Sequence, residues 1–183
     1  MDSAEILTFW LDEIGPTQWY VPPDGLDQEM RTRFAEICLA ARHGVLNDWA
    51  ASARGALALL LLLDQFPRNI WRGEPGAFAG DPLARAFSKH AISRCLDSRV
   101  AEPERQFFYL PLEHSESLAD QDRAVRLALM RLPKTGRGVV DAAIRHRTVI
   151  RRFGRFPSRN AILGRPDTAA ERAYRAEGGY MSG

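Results

Sequence analysis

Apolar side chains recur along most of this chain every three or four residues, which is the period of an α-helix. In the first such stretch, Leu7, Trp10 and Ile14 share one face. The residues Asp2 to Glu5 predict a capping box at its start, because an Asp N-cap and a Glu three residues later satisfy each other's backbone donors. Gly15-Pro16 predicts where this helix ends.

The same periodicity predicts helices along the rest of the chain. The stretch from Ala53 to Phe66 is apolar nearly all round, which predicts a helix buried at the centre of the fold. Pro after an acidic residue predicts two further helix starts, since Pro is tolerated in the first turn. The other predicted helices are placed from Asp24 to Gly44, from Asp81-Pro82 to about Leu96, after Glu102-Pro103 through Phe107 to His114, through Val125 to Met130, from Val139 to Phe153, and after Thr168. Asp81 is expected to be the N-cap of its helix, and Thr168 to Glu171 are expected to cap the short last helix.

These elements predict one all-α domain over residues 1–183. No stretch alternates convincingly between apolar and polar residues, as a half-buried strand would, and short Gly- and Pro-containing loops leave no linker. Short connections favour antiparallel neighbours, so we expect about seven or eight helices stacked as hairpins, in a solenoid or an irregular bundle. The tail after about residue 176 is expected to fray.

One short phrase occurs twice. Asp64 to Ile70 returns as Gly154 to Ile162, with one residue inserted before the second Arg-Asn. Because the residue before Pro is pushed out of the α region, both copies predict the end of a helix. We also expect Phe66 and Phe156 to be buried, as the anchors of these two helix ends.

Motifs in four regions resemble a known family. They are Phe9-Trp10 with Trp19-Tyr20, Leu61 to Asn69, Phe108 to Glu116, and Phe153 to Arg165. In this order and over nearly the whole chain, they are similar to a bacterial family catalogued only as a domain of unknown function, number 924. The resemblance implies an all-α fold similar to tetratricopeptide superhelices, and it implies no reaction.

The composition, 45% hydrophobic and 26% charged over 183 residues, is that of an ordinary soluble protein. Two cysteines, Cys38 and Cys95, cannot build a disulfide framework and are expected to be buried thiols. The longest apolar run, Ala56 to Leu63, is too short to cross a bilayer. With no signal-peptide pattern at the amino end, we expect a cytoplasmic protein without a membrane partner.

Charge is distributed unevenly, although the net charge is only +2. Arginines crowd residues 145–165, where no acid lies between Asp141 and Asp167, and acids crowd residues 113–122. Arg suits the bidentate recognition of carboxylates and oxyanions better than Lys does. We therefore expect an ion pair between an Arg of the second phrase and an acid of residues 113–122, or Asp64.

Two histidines and two Arg-Asn pairs form the candidate site. His114 and His146 are each expected on an apolar helical face, and either is a candidate general acid or base. The strongest form of the hypothesis places Arg68, Asn69, His114, His146, Arg155 and Asn160 in one polar pocket. The alternative is a set of structural ion pairs and satisfied core histidines. The full set of predicted ligand-binding residues is Asp64, Arg68, Asn69, His114, Glu116, His146, Arg155, Arg159 and Asn160.

No cofactor or metal is predicted. The chain has no nucleotide-binding loop and no Cys-x-x-Cys, Gly-x-Ser-x-Gly or His-Glu-x-x-His pattern. Adjacent Glu113 and His114 point about 100° apart on a helix and cannot easily share one ion. This weakens the metal hypothesis, in which Zn, Mn or Fe is bound by some of Glu113, His114, Glu116, Asp120 and His146.

Three functions are compatible with these residues. A binding protein would hold a peptide carboxylate, a protein partner or a small anionic ligand among the Arg, His and Asn side chains. A small enzyme would act on an anionic metabolite, with His114 or His146 as general acid or base. A nucleic-acid binder would use the arginines from Arg145 to Arg165, but the small net charge makes nucleic acid an unfavourable partner. The sequence does not predict the oligomeric state.

Overall fold

The structure is a computed structural model that describes residues 1–180, and every regular element in that range is helical. The prediction of an all-α fold is confirmed. No helix within residues 1–180 is long and apolar enough to cross a membrane. The α-helices are α1 (Ser3–Leu7), α2 (Leu26–Arg42), α3 (Ala53–Leu60), α4 (Phe66–Ile70), α5 (Asp81–Ser93), α6 (Leu110–Glu113), α7 (Leu118–Arg131), α8 (Arg137–Phe153) and α9 (Ala169–Ala176).

The chain folds into two compact units, with the boundary between Pro111 and Leu112, inside the short helix α6. Unit 1, residues 1–111, contains α1 to α5. Unit 2, from Leu112 onward, contains α7 to α9. The prediction of a single domain stays a prediction. Of the tail expected to fray after residue 176, residues 181–183 lie outside the described residues.

Unit 1 is built around α3. Every side chain from Leu57 to Phe66 is buried, as expected for a helix that is apolar nearly all round. Helices α1 and α5 pack against α3. Beside it, the rings of Phe9, Phe34 and Phe66 have centroids 4.6 to 5.9 Å apart. Phe66 is fully buried, as predicted, but it lies at the start of α4 and does not anchor a helix end.

The first copy of the repeated phrase does not end a helix, contrary to the prediction. Residues Leu61–Gln65 form a π-helical turn, in which Phe66 N–H donates to the Leu61 carbonyl, and α4 then continues to Ile70. Pro67 lies in the first turn of α4, where a helix lacks partners for its N–H groups in any case. The chain therefore stays helical through the π turn and past Pro67.

Unit 2 is a helical hairpin with an added third helix. Helices α7 and α8 pack against each other across a short connection. Val149, Ile150 and Phe156 form its core, with Phe153, Tyr174 and Tyr180 packed against them. The second phrase does follow a helix end, as predicted, and Phe156 is buried. The helix stops at Gly154, whose φ of 72° is left-handed and whose N–H donates to the Ile150 carbonyl.

The predicted caps of the first and last helices are confirmed, and both are capping boxes. Asp2 pairs with Glu5 at α1, and Thr168 pairs with Glu171 at α9. Asp81 was expected to cap α5, but it is the first residue inside that helix and its carboxylate binds Arg68 instead. In this case a tertiary ion pair outweighs the local cap.

Two other expectations need correction. The helix predicted after Glu102-Pro103 is divided into a 3-10 turn, Glu104–Phe108, and the four-residue α6, so His114 follows a helix instead of lying within one. Cys38 is buried, and burial raises the pKa of its thiol. Cys95 is exposed, contrary to the expectation, in the turn just after α5 ends, where its φ of 55° is left-handed.

Candidate functional site

In unit 1, Arg68 lies between two carboxylates. Its Nη1 is 3.2 Å from an oxygen of Asp64, and its two terminal nitrogens donate to both oxygens of Asp81 at 3.0 and 3.1 Å. The Arg68 side chain is only 12% exposed and that of Asp64 only 2%. Gln65 Nε2 donates to Asp64 as well. The first phrase therefore supplies a nearly buried ion-pair cluster.

The electrostatics of this cluster favour the charged guanidinium. Burial alone would lower the pKa of Arg68, but Asp64 and Asp81 outweigh burial and hold it above its ordinary value. The π turn at 61–65 places Asp64 one helical turn before Arg68. On the other side, Gly80 lets α5 approach closely, because a Cβ there would overlap the Leu63 carbonyl.

Asn69 is engaged in a second, more exposed contact in unit 1. Its Nδ2 donates to the Gln65 carbonyl at 3.3 Å, and its Oδ1 accepts from Arg72 at 2.8 Å. Arg72 also forms a bidentate pair with Asp27, at 2.6 and 3.0 Å. The Arg-Asn pair of the first phrase is thus bound to groups of its own unit, which favours a structural role.

In unit 2, Glu116 receives three hydrogen bonds from residues 156–165. Phe156 N–H donates to it at 2.8 Å, and Arg165 donates with both terminal nitrogens at 2.8 and 3.0 Å. Glu116, an acid of residues 113–122, is therefore paired with Arg165, which lies just beyond the second phrase, whereas the prediction named an arginine within the phrase. A second acid of the same stretch, Asp122, is 3.4 Å from Arg147.

The rest of the second phrase is tied to the segment that leads into α9. Asn160, which is fully buried, accepts from Arg165 Nε at 3.0 Å and donates to Asp167 at 2.7 Å. Arg155 forms a bidentate pair with Glu171, at 2.7 and 2.8 Å. These bonds hold the chain between α8 and α9, where the regular structure is one short 3-10 turn, Pro157–Arg159.

The pKa values of both glutamates are lowered. Hydrogen bonding from Arg155 is the main cause for Glu171, whose pKa falls to about 2 against the burial that opposes it. Burial acts on Glu116 in the opposite direction too, but Arg165 and the Phe156 N–H together outweigh it and keep its pKa below the ordinary value.

We predict that Glu171→Gln will reduce the acid sensitivity of the protein. A carboxylate with a lowered pKa stabilises the fold above its unfolded-state pKa and loses that contribution as the pH falls toward its folded-state value. Wild-type unfolding free energy should therefore fall between about pH 4.5 and pH 2 more steeply than that of the variant. Urea titrations across this range measure the difference; Glu177→Gln, an exposed change just after the same helix, is the control, and equal slopes for Glu171→Gln and wild type would contradict the prediction.

His146 lies at the centre of a cluster of rings in unit 2. The ring centroids of Tyr180, Phe156 and His114 lie 5.2, 5.6 and 6.0 Å from that of His146, all with steep interplanar angles. His146 is 6% exposed. Its Nδ1 is 2.9 Å from the Ala142 carbonyl and 3.8 Å from an oxygen of the buried Glu113.

Two arginines border this ring cluster. The guanidinium of Arg159 lies 4.7 Å above the centre of the Phe156 ring, and that of Arg145 lies 5.4 Å above the Tyr180 ring. Arg159 is buried and Arg145 is exposed. Burial raises the pKa of Tyr180, although the Arg145 charge acts against that rise. We call His114, His146, Phe156, Tyr180, Arg145 and Arg159 the histidine cluster.

The structure gathers part of the predicted site in each unit. Unit 1 brings Asp64, Arg68 and Asn69 into one stretch, and unit 2 brings His114 near His146 and Glu116 near Asn160 through Arg165. The single pocket drawing on both units stays a prediction. Among residues 1–180, no group of three His, Cys, Asp or Glu side chains could hold a metal ion.

Three residues on which the site depends, Arg165, Glu171 and Tyr180, are absent from the predicted ligand-binding set. Arg165 belongs to the motif quoted for the family resemblance, and that was a usable signal. Glu171 was assigned only to a capping box, yet its carboxylate also binds Arg155. Tyr180 was assigned to a fraying tail, and nothing in the local sequence indicates that its ring contacts His146.

Comparisons with known proteins agree with the fold. The solved structure of a protein of unknown function, ATU0120, from Agrobacterium tumefaciens is similar, with 43% sequence identity, a TM-score of 0.88 and coverage of 96% of this chain and 97% of that one. No curated protein matches this chain significantly. The profile of the family described as bacterial protein of unknown function (DUF924) matches residues 6–179. The resemblance noted in the sequence is thereby confirmed, and this chain belongs to the DUF924 family.

Proposed function

We propose that this chain is a binding protein whose histidine cluster holds the anionic group of a ligand, a peptide carboxylate or a small anionic metabolite. The observation that carries the proposal is the placement of two imidazoles, His114 and His146, with centroids 6.0 Å apart and with the arginines 145 and 159 on the flanking rings. Imidazolium and guanidinium groups donate charge-assisted hydrogen bonds, the strongest that proteins use for carboxylates.

Arg145 is the accessible cation of this cluster. It is exposed and forms no ion pair within residues 1–180, and it lies next to His146 on α8. Arg159, by contrast, is buried and already acts on Glu116 through its charge. We therefore assign direct contact with the anion to Arg145 and His114, and a supporting electrostatic role to Arg159.

The surrounding ion pairs support a binding site because they make it rigid. A recognition site needs side chains held by a supporting shell. The pairs of Glu116 with Arg165 and of Arg155 with Glu171 fix the segment that carries Phe156 and Arg159. The α7–α8 hairpin adds an analogy at the level of the fold, since tetratricopeptide-like hairpins commonly hold peptides. With only two cysteines, the chain suits a reducing cytoplasm.

A second candidate function is an enzyme acting on an anionic metabolite. The specific observation is the buried Glu113 carboxylate, 3.8 Å from His146 Nδ1. A carboxylate beside an imidazole orients the ring and stabilises its protonated form, as a general acid or base requires. In this function His146 transfers the proton and Arg145 binds the substrate.

We predict that the protein will bind inorganic phosphate and acetate. Acetate keeps its charge between pH 6 and pH 8, so it should bind more tightly at pH 6, where a histidine side chain is more often protonated. Loss of one charge-assisted hydrogen bond costs about 1.5–3 kcal/mol, so Arg145→Ala and His114→Asn should each weaken binding about tenfold to a hundredfold. Isothermal titration calorimetry measures both effects.

Matched controls are Arg137→Ala, which removes an exposed arginine from the start of the same helix, and His43→Asn in unit 1. Equal affinities for Arg145→Ala and Arg137→Ala would refute the assignment. The enzyme alternative is tested with a mixture of anionic metabolites followed by mass spectrometry. If the wild type forms a product, and His146→Asn forms none but still binds the metabolite, the result would favour the enzyme function over the binding function.

A further inference from the structure

We infer that Tyr180 occupies the subsite for an aromatic residue of a peptide ligand, and that the ligand binds by displacing it. This rests on the proposed function, because it takes the anionic group beside His114 and His146 to be a peptide carboxylate. The ligand class is thereby narrowed to peptides that carry an aromatic side chain next to a carboxylate.

The contacts of the Tyr180 ring are those of a bound aromatic ligand. Its ring meets the His146 ring at 89° with centroids 5.2 Å apart, an edge-to-face arrangement that aromatic pairs prefer. The Arg145 guanidinium carbon lies 5.4 Å from the centre of the Tyr180 ring, which is a cation–π distance. The ring also packs on the apolar core formed by Val149, Ile150 and Phe156.

The main chain of Tyr180 is also held as a peptide would be. Its N–H donates to the hydroxyl of Tyr174 at 2.8 Å. This bond comes from a side chain and needs no helix or strand, so a separate peptide could make it with its own N–H. The Tyr174 ring itself packs against the ring of Phe153, with the two centroids 4.9 Å apart.

The link between α9 and Tyr180 suits a segment that can be displaced. Gly178 and Gly179 form it, and the φ of 75° at Gly178 is left-handed, which a glycine adopts at little cost. Both glycines line a depression of ≈ 460 Å³ beside α9, and they are joined to the end of that helix by two backbone hydrogen bonds, from Gly178 N–H to Arg175 and from Gly179 N–H to Tyr174. Tyr180 itself is only half-buried.

The test removes the Tyr180 side chain by mutation and supplies a tyrosine as a free peptide in solution. The variant Tyr180→Ala is combined with the tripeptide Gly-Gly-Tyr, which reproduces residues 178–180, and with Gly-Gly-Ala as the matched probe. Diethyl pyrocarbonate modifies accessible histidines, and mass spectrometry of the digested protein reports each histidine separately. The exposed His43 and His90 in unit 1 serve as internal references.

We expect severalfold faster modification of His146 in Tyr180→Ala than in wild type, with His43 and His90 unchanged. Gly-Gly-Tyr should restore the protection of His146, and Gly-Gly-Ala should not. Tyr180→Phe, which keeps the ring, should behave as wild type. Unchanged reactivity of His146 in Tyr180→Ala, or equal protection by the two tripeptides, would overturn the inference.

A third probe separates this inference from the proposed function. Gly-Gly-Tyr amide lacks the carboxylate but keeps the ring and the N–H. Weaker protection by the amide than by the acid supports both proposals. Equal protection by the two, together with no binding of inorganic phosphate to the wild type, would leave the aromatic subsite standing and remove the anion site. Phosphate binding without any protection by Gly-Gly-Tyr would remove the subsite alone.

Discussion

Replacing Phe66 by alanine should lower the free energy of unfolding by about 3–5 kcal/mol, the usual cost for a buried phenylalanine. The ring is 0% exposed and contacts three other aromatic rings, those of Phe9, Trp10 and Phe34, with centroids 5.9, 5.4 and 5.1 Å away. Its removal leaves a cavity beside the most buried helical stretch of unit 1, which the rigid backbone cannot fill. Urea unfolding followed by tryptophan fluorescence measures the loss.

Two further variants make this result specific. Phe66→Leu keeps most of the volume and should cost less than about 1.5 kcal/mol. Phe87→Ala removes a half-buried ring from the same unit and should cost about 1 kcal/mol. If Phe66→Ala proves no more destabilising than Phe87→Ala, the aromatic cluster does not organise unit 1.

Replacing Arg68 by methionine should cost a similar amount, about 3–5 kcal/mol, because it removes one member of a nearly buried ionic cluster. Asp64 and Asp81 would keep their negative charges in a poorly solvated region without the guanidinium between them. Methionine retains much of the side-chain volume, so the loss reports charge more than packing. The control is Arg31→Met, which breaks an exposed pair with Glu74 and should cost at most about 1 kcal/mol.

The pH dependence of Arg68→Met supplies a second, independent readout. Two carboxylates that have lost their cation bind protons more readily in the folded state than in the unfolded state. By linkage, the variant should therefore regain part of its stability as the pH falls from 7 toward 5. The wild type keeps its guanidinium charged throughout this range and should show no such gain. Parallel pH profiles for the two proteins would contradict the cluster's role.

Local patterns predicted the elements well where a physical signal was confined to a few neighbouring residues. The capping boxes of Asp2 with Glu5 and of Thr168 with Glu171 were readable because both partners lie within one turn. The burial of residues 55–66 followed from a stretch that has no polar face to turn to water. The hydrophobic pattern did not predict the π turn at 61–65. A helix that continues through a widened turn and a helix that ends there can have the same sequence of apolar residues.

The site was less predictable because it depends on the choice of partners. The sequence showed an acidic stretch and an arginine-rich one, and it predicted that they pair. It could not show that Glu116 pairs with Arg165 and that Arg155 pairs with Glu171. Nothing in the sequence distinguishes one arginine or one glutamate of these stretches from another as a partner. His114 and His146, placed in one pocket by the hypothesis, have ring centroids 6.0 Å apart, but the contact of Tyr180 with His146 was not predicted.

By itself, then, the amino-acid sequence determined the all-α class, most helix starts and the burial of Phe66 and Phe156, because propensity, capping and hydrophobic periodicity act over a few residues. Only the tertiary structure decided that Pro67 continues a helix, that Asp81 binds Arg68 instead of capping α5, and that Tyr180 covers His146. The contacts of Asp81 and Tyr180 depend on groups distant in sequence, whose hydrogen bonds and packing outweigh the local preference by a few kcal/mol. The helix continues at Pro67 because the turn just before it is widened, a backbone geometry that the pattern of residues does not specify.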